Sequence, residues 1–94
     1  MALARVVTFD GVSGDRMEQM RQEIEGTGKP EGLPATEMMI LHDADAEQAI
    51  AIVFFDNEDD YAKGDAFLQA MDRGDTPGRR TSVRKCTVGM RMAD

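Results

Sequence analysis

The sequence has little of several residue types on which small proteins often depend. Its 94 residues contain one cysteine, one tyrosine and no tryptophan. The single cysteine, Cys86, cannot form a disulfide within the chain, and the residues around it lack the spacing of a metal-binding motif. No run of about eighteen apolar residues is present, and the amino terminus lacks the basic start and apolar core of a signal peptide. We therefore expect a cytoplasmic protein without a membrane-spanning helix.

The balance of charges also excludes classes of partner. Eleven Lys and Arg stand against eighteen Asp and Glu, which gives a net charge of −7, and an acidic chain is repelled by nucleic-acid phosphates and anionic lipid headgroups. The one basic cluster, between Arg79 and Lys85, has no interleaved aromatic residues on which bases stack. Charge that protects an edge strand from pairing with other chains explains this cluster better. We predict neither nucleic-acid nor membrane binding.

The first half of the chain predicts a strand, a helix and a loop. Residues 3–9 are β-branched and aromatic-rich and end in the turn sequence Asp10-Gly11, which is typical of a strand. Ser13 is a suitable N-cap for a helix that Gly26 would end, and residues 26–34 have the glycine and proline content of a loop. The predicted helix carries an apolar stripe at spacings of three and four residues: Met17, Met20 and Ile24.

The second half predicts a hairpin, a helix and a long strand. Residues 36–42 and 49–55 are apolar runs joined by a short acidic turn, which indicates a hairpin. The acidic segment after Phe55 is typical of a helix start, and Arg73-Gly74 is typical of a helix end. Residues 79–92 alternate as in a strand, with Cys86, Val88, Met90 and Met92 on one face. The buried side of the second helix would carry Tyr61, Phe67, Leu68 and Met71.

This order of elements predicts an α+β fold in a single domain spanning residues 1–94. A strand, helix, strand, strand, helix, strand sequence is most simply satisfied by the ferredoxin-like βαββαβ arrangement, a four-stranded antiparallel sheet with two helices on one face. Strands one and three would then lie in the middle of the sheet.

The hairpin strands are apolar on both faces, and this predicts a partner. Residues 50, 52 and 54 alternate with residues 49, 51, 53 and 55, and both sets are apolar. Two helices cover one face only, so we expect a homodimer that packs sheet to sheet through a two-fold axis. Roughly 600–800 Å² of exposed apolar surface would otherwise be unfavourable by about 15–20 kcal/mol. In the alternative, the 26–34 loop and the last strand cover this face.

This layout resembles the dimeric α+β barrel superfamily, and within it the small antibiotic-biosynthesis-monooxygenase-like proteins. The resemblance spans nearly the whole chain and is carried by the opening ARVVTF, by the passage FFDNEDDYAKGDAFLQAM at residues 54–71, and by the closing VGMRM. It implies a fold that hosts quinone-forming monooxygenases, haem-degrading enzymes, cyclases and dehalogenases, so function inferred from it is analogy. The tryptophan of active members is absent, and Lys63, Gly64 and Asp65 stand about where their helix-two histidine would fall.

Three residues are candidates for a ligand site, and two of them for catalysis. His42, the only histidine, ends the second strand on one face with Met38 and Ile40, and an imidazole there acts as a base or orients a carbonyl. Tyr61 would present its hydroxyl at the mouth of the same cavity between sheet and helices, and Thr8 is a further ligand-binding candidate. The acidic residues of the hairpin turn are better explained as a solvated tip than as metal ligands. We predict no metal and no cofactor.

Three functions remain open at this point. The first is a homodimer that binds a small apolar or aromatic molecule between sheet and helices. The second is a cofactor-independent oxygenase or isomerase acting on a quinone-like or polycyclic substrate, with His42 or Tyr61 as the proton-transfer group. The third is a structural or regulatory dimer that binds another protein. A cavity of about 300 Å³ or more with His42 or Tyr61 in its wall would favour the first two.

Overall fold

The protein folds into one antiparallel sheet with two helices. The structure is a computed structural model, and it describes residues 2–28, 30–71 and 78–92. The strand order is β2-β3-β1-β4, and all three pairs of neighbours are antiparallel. The predicted ferredoxin-like α+β fold, with strands one and three in the middle, is confirmed. The elements are β1 Leu3–Asp10, α1 Gly14–Thr27, β2 Glu37–Asp43, β3 Gln48–Phe55, α2 Glu58–Met71 and β4 Arg79–Thr87.

The first helix begins where the sequence predicts but ends later. Ser13 is its N-cap, and the Ser13 hydroxyl accepts a hydrogen bond from the Arg16 backbone N–H at 3.1 Å. The prediction that Gly26 ends the helix is wrong. The chain leaves the helix at Gly28, which has φ 74° and donates its N–H to the Ile24 carbonyl at 2.6 Å. A glycine inside a helix costs only about 1 kcal/mol, whereas the left-handed conformation after the last turn strongly favours glycine.

The second helix has an asparagine at its start. The Asn57 side-chain oxygen accepts a hydrogen bond from the Asp60 backbone N–H at 2.8 Å, and acidic residues occupy the first turn, where a negative charge is favourable. The predicted helix end at Arg73-Gly74 lies outside the described residues.

The last strand is shorter than predicted. β4 ends at Thr87, and the prediction of a strand through residue 92 is wrong. The reason is the position of its neighbour, since β1 begins at Leu3 and the Val88 N–H bonds to the Ala2 carbonyl just before it. Beyond Val88 the final strand has no partner along β1. Met90 and Met92 are therefore 80% and 85% exposed rather than packed on the sheet.

The helix side of the sheet contains two apolar clusters. Residues from the connection before β2 contribute to the first cluster, because Leu33 and Ala35 are buried against Val53 and Phe55. The second cluster lies at the other end of the central strands and includes Val12, which is fully buried. Among the described residues, the buried members are Leu3, Leu33, Ala35, Val53, Phe55 and Tyr61 in the first cluster, and Val7, Phe9, Val12 and Ala49 in the second.

The opposite side of the sheet, which we call the open face, carries a second apolar surface. Leu41 and Met39 are 48% and 39% exposed there. In the predicted alternative, the 26–34 loop and the last strand together cover this side, but Leu33 of that loop packs on the helix side. The described part of the chain after β4 reaches the corner formed by β2 and β3, where the Arg91 guanidinium pairs with Glu37 and lies 5.3 Å from the centre of the Phe54 ring. By strand register, the apolar members of the open face are Ala4, Val6, Met39, Leu41, Ile50, Ile52, Phe54 and Cys86.

Neither helix, within the described part of the chain, is long and apolar enough to cross a membrane.

Candidate functional site

A groove of about 330 Å³ lies between α1 and the edge strand β2. Its volume falls within the usual range for small-molecule sites and suits one or two aromatic rings. Apolar side chains form its walls, and charged groups occur only at its rim. The lining residues are Met17, Arg21, Ile24, Glu25, Met38, Met39, Ile40 and His42.

The groove exists because α1 uses only part of its apolar stripe to cover the sheet. Met17, in the first half of the helix, packs against the second buried cluster. Two turns later Ile24 is 40% exposed, although it belongs to the same stripe. An apolar helix face and the apolar side chains of β2 therefore face one another across unfilled space.

The charged groups at the rim form ion pairs within α1. The Arg21 guanidinium pairs with Glu18 and, at 2.8 Å, with Glu25. The hydrogen bond from Arg21 lowers the pKa of Glu18, and the same contacts raise the pKa of Arg21. Because the Arg21 guanidinium is shared by two carboxylates of the same helix, it is already paired, and the group of three has one excess negative charge.

His42 forms the polar end of the groove. Its Nε2 atom lies 2.9 Å from the Val12 carbonyl oxygen. A carbonyl only accepts, so Nε2 carries a proton and donates it, and in the neutral ring the lone pair is then on Nδ1. The ring also lines a second cavity of about 190 Å³ with Leu41, Asp43, Gln48 and Ile50. His42 therefore stands at the end of β2, between a cavity on either side.

Tyr61 does not line the groove. Its ring is buried in the first cluster, edge-on to Phe55 at 5.4 Å between ring centres. Burial, and secondarily the charge of Asp65, raises the pKa of the Tyr61 hydroxyl. His42 pairs with Ala49 at the other end of β3, and six residues of strand correspond to about 20 Å. Tyr61 and His42 do not share a cavity mouth, contrary to what the sequence analysis expected.

Thr8 is on the open face, so the three candidates occupy three different places. The Thr8 hydroxyl is 2.7 Å from the Thr81 hydroxyl and 2.6 Å from the Ser82 hydroxyl. These bonds join β1 to β4 where the strand register shifts. Of the predicted site residues, only His42 lines the groove.

An ion pair beneath α2 was not predicted from the sequence. Arg5 is 3% exposed, and its Nε donates to Asp65 Oδ1 at 2.9 Å. Lys85, the neighbour of Arg5 across the β1–β4 pair, bonds to Glu58 and places its ammonium 5.0 Å from the centre of the Tyr61 ring. A signal was present, since Arg5 has the same parity in β1 as the core residues. These contacts attach α2 to the sheet.

The described side chains are not grouped around a metal site either. Among the described residues no cluster of three or more His, Cys, Asp or Glu side chains is arranged to hold a metal ion. No family model matches the chain, and no curated protein matches it. The ferredoxin-like fold is therefore the finest grouping to which the chain is assigned.

Proposed function

We propose that this chain is a homodimer of the dimeric α+β barrel type that binds a small apolar or aromatic molecule in the groove between α1 and β2. The observation that carries the proposal is the groove itself, whose walls come from Met17, Ile24, Met38, Met39 and Ile40. Apolar surface of this kind is unfavourable in water by about 25 cal/mol per Å². A ligand that fills the groove removes this surface from water.

The groove also restricts the charge of its ligand. The rim carries Arg21 with two acidic partners, so an anionic ligand would have to displace an existing ion pair beside an excess negative charge. The only other polar group in the wall is His42, whose Nε2 already donates to Val12. A neutral molecule with one or two rings fits these properties best.

The size of the open face supports the dimer. Strands of seven to nine residues rise about 3.3 Å per residue and lie about 4.8 Å apart, so the four-stranded face extends over about 500 Å² in projection. Accessible area exceeds projected area on a surface covered with side chains, and a stable interface buries about 800 Å² per partner. A second copy presenting the same face matches it in area and in apolar character.

Ligand binding is tested with N-phenyl-1-naphthylamine, a neutral fluorescent probe whose emission rises in apolar surroundings. We expect saturable binding to the wild type and at least tenfold weaker binding to Ile24→Asp, which places a charge in the groove wall. The matched control is Val83→Asp, since Val83 is on β4, is 37% exposed and is not in the groove wall. Absence of saturable binding to the wild type, or equal losses in both variants, would refute the groove proposal.

Dimer formation is tested by sedimentation equilibrium. The chain has a mass of 10.4 kDa, so we expect a species of twice this mass at micromolar concentration. Leu41→Asp should give the monomer, because it charges the open face, whereas Ile24→Asp should remain dimeric. A wild type that is monomeric at all concentrations would refute the dimer. A dimer that binds no apolar probe would support the structural or regulatory alternative instead.

The position of His42 favours a second candidate, a cofactor-independent oxygenase or isomerase. The Nε2 bond to Val12 fixes the ring and leaves Nδ1 as the proton acceptor in a largely apolar groove. We expect, on this alternative, oxygen consumption with an anthrone or a dihydroquinone that is lost in His42→Ala. A wild-type rate equal to that of buffer would exclude the reaction for those substrates.

A further inference from the structure

The groove and the open face are separated by a single strand. Met38 and Ile40 point to the helix side of β2, and Met39 points to the open face, as the strand register shows. All three nevertheless line the groove. The groove therefore wraps around the free edge of the sheet, and part of its wall belongs to the surface that the proposed dimer covers.

We infer that the second copy completes this groove, so that ligand binding and dimerisation strengthen one another. The inference rests on the proposed function. Met39 is 39% exposed, and a ligand against it keeps one side in water unless something covers the edge. A partner seated on the open face lies against Met39 and Leu41 and removes that side from water.

Charge also favours a second copy as the occupant. On the open face Glu37 pairs with Arg91 and Arg79 pairs with Asp10, while Asp43 on β2 and Arg84 on β4 lie at opposite edges of the sheet. A two-fold axis parallel to the strands places β2 of one copy over β4 of the other, so that the edge with Asp43 faces the edge with Arg84. An in-plane axis perpendicular to the strands would instead place β2 over β2, with Asp43 over the Glu37–Arg91 pair and away from Arg84. The first arrangement brings β4 of the partner alongside Met39.

Thermodynamic linkage gives the coupling a measurable size. If the probe binds the dimer more tightly than the monomer, it must tighten the dimer by a corresponding factor, and couplings between sites commonly amount to 5- to 150-fold. The coupling here acts through a shared wall rather than through a distant pathway. We therefore expect at least a fivefold effect in both directions.

The direct experiment uses the wild type alone. The dimer dissociation constant is measured by sedimentation equilibrium with and without saturating N-phenyl-1-naphthylamine, and the probe is titrated at protein concentrations above and below that constant. We expect the probe to lower the dissociation constant at least fivefold and to bind at least fivefold more weakly below it. Probe binding with no change in either quantity would overturn the inference and leave the groove proposal intact.

A variant outside the groove provides the second measurement. Leu41 does not line the groove, so Leu41→Asp should weaken probe binding only by producing the monomer. Leu41 is 48% exposed, which makes the substitution compatible with the fold, and far-ultraviolet circular dichroism checks this. Val83→Asp is the matched control and should keep wild-type affinity. A folded Leu41→Asp monomer with wild-type affinity for the probe would contradict the coupling. Absence of probe binding in every form would instead refute the proposed function itself.

Discussion

Gly64 lies where the backbone of α2 meets the ring of Phe55. A Cβ at this position would come within 2.2 Å of Phe55 Cε1 and 2.3 Å of Cζ, whereas real Cβ atoms essentially never approach closer than 3.0 Å. Phe55 is fully buried and its ring already packs against Tyr61. In Gly64→Ala either the ring or the helix must move by several tenths of an ångström or more.

The expected cost is the difference between two effects of opposite sign. Overpacking a buried site costs about 1–3 kcal/mol, and a contact this short belongs at the upper end. Alanine in place of glycine inside a helix stabilises the helix by about 1 kcal/mol. We expect Gly64→Ala to lower the free energy of unfolding by about 2 kcal/mol, measured by urea denaturation at one fixed protein concentration.

The matched control is the same substitution in the other helix. Gly26 is within α1, and a Cβ there meets nothing within 4 Å, so Gly26→Ala should stabilise the protein by up to about 1 kcal/mol. In addition, Phe55→Leu should partly relieve Gly64→Ala, so the double variant should be more stable than the sum of the single effects predicts. Gly64→Ala as stable as the wild type would refute the packing of α2 described here.

Three further predictions concern the contacts of α1 and α2. Asp65→Ala should lower the free energy of unfolding by about 2–3 kcal/mol, since it removes a charged partner of the buried Arg5, and Asp65→Asn should lower it less because an acceptor oxygen remains. Tyr61 should titrate above its ordinary pKa of about 10 when followed by absorbance at 295 nm. Since the unfolded chain releases that proton first, the contribution of Tyr61 to stability should be complete below about pH 10 and decline as the pH rises toward the folded pKa. Ser13→Ala should cost about 1 kcal/mol in thermal or urea unfolding, because the Arg16 N–H loses its acceptor; an unchanged midpoint in any of these cases would contradict the corresponding contact.

Local sequence patterns predict the elements of this fold, while their ends depend on distant residues. Alternation and caps are short-range properties, which is why the order of elements and the start of α1 at Ser13 are predicted. The glycine that ends α1 is Gly28 and not Gly26. Local sequence rules for helix ends do not distinguish between two glycines that lie so close together. The end of β4 is set by where β1 begins, more than eighty residues earlier. Leu33 packs in the core but belongs to a segment without hydrophobic periodicity, so no sequence pattern predicts its burial.

The candidate site is predicted only in part, for a related reason. The sequence identifies His42 as a groove residue because it shares parity with Met38 and Ile40. It does not separate His42 from Tyr61, since their distance depends on where each lies along β3 in the folded sheet. Nor does it reveal the partner of Arg5, because Asp65 is 60 positions away. A pairing over that separation appears only when α2 is placed on the sheet.

The sole thiol of the chain lies on the open face. Cys86 is half-buried there, beside Ala4 on the neighbouring strand. The protein thus contains a natural chemical reporter on the face that the second copy of the proposed dimer would cover, and no labelling site has to be engineered. Its rate of alkylation by a small reagent such as iodoacetamide, followed as a function of dilution, reports how often that surface is accessible to solvent in the otherwise unaltered molecule.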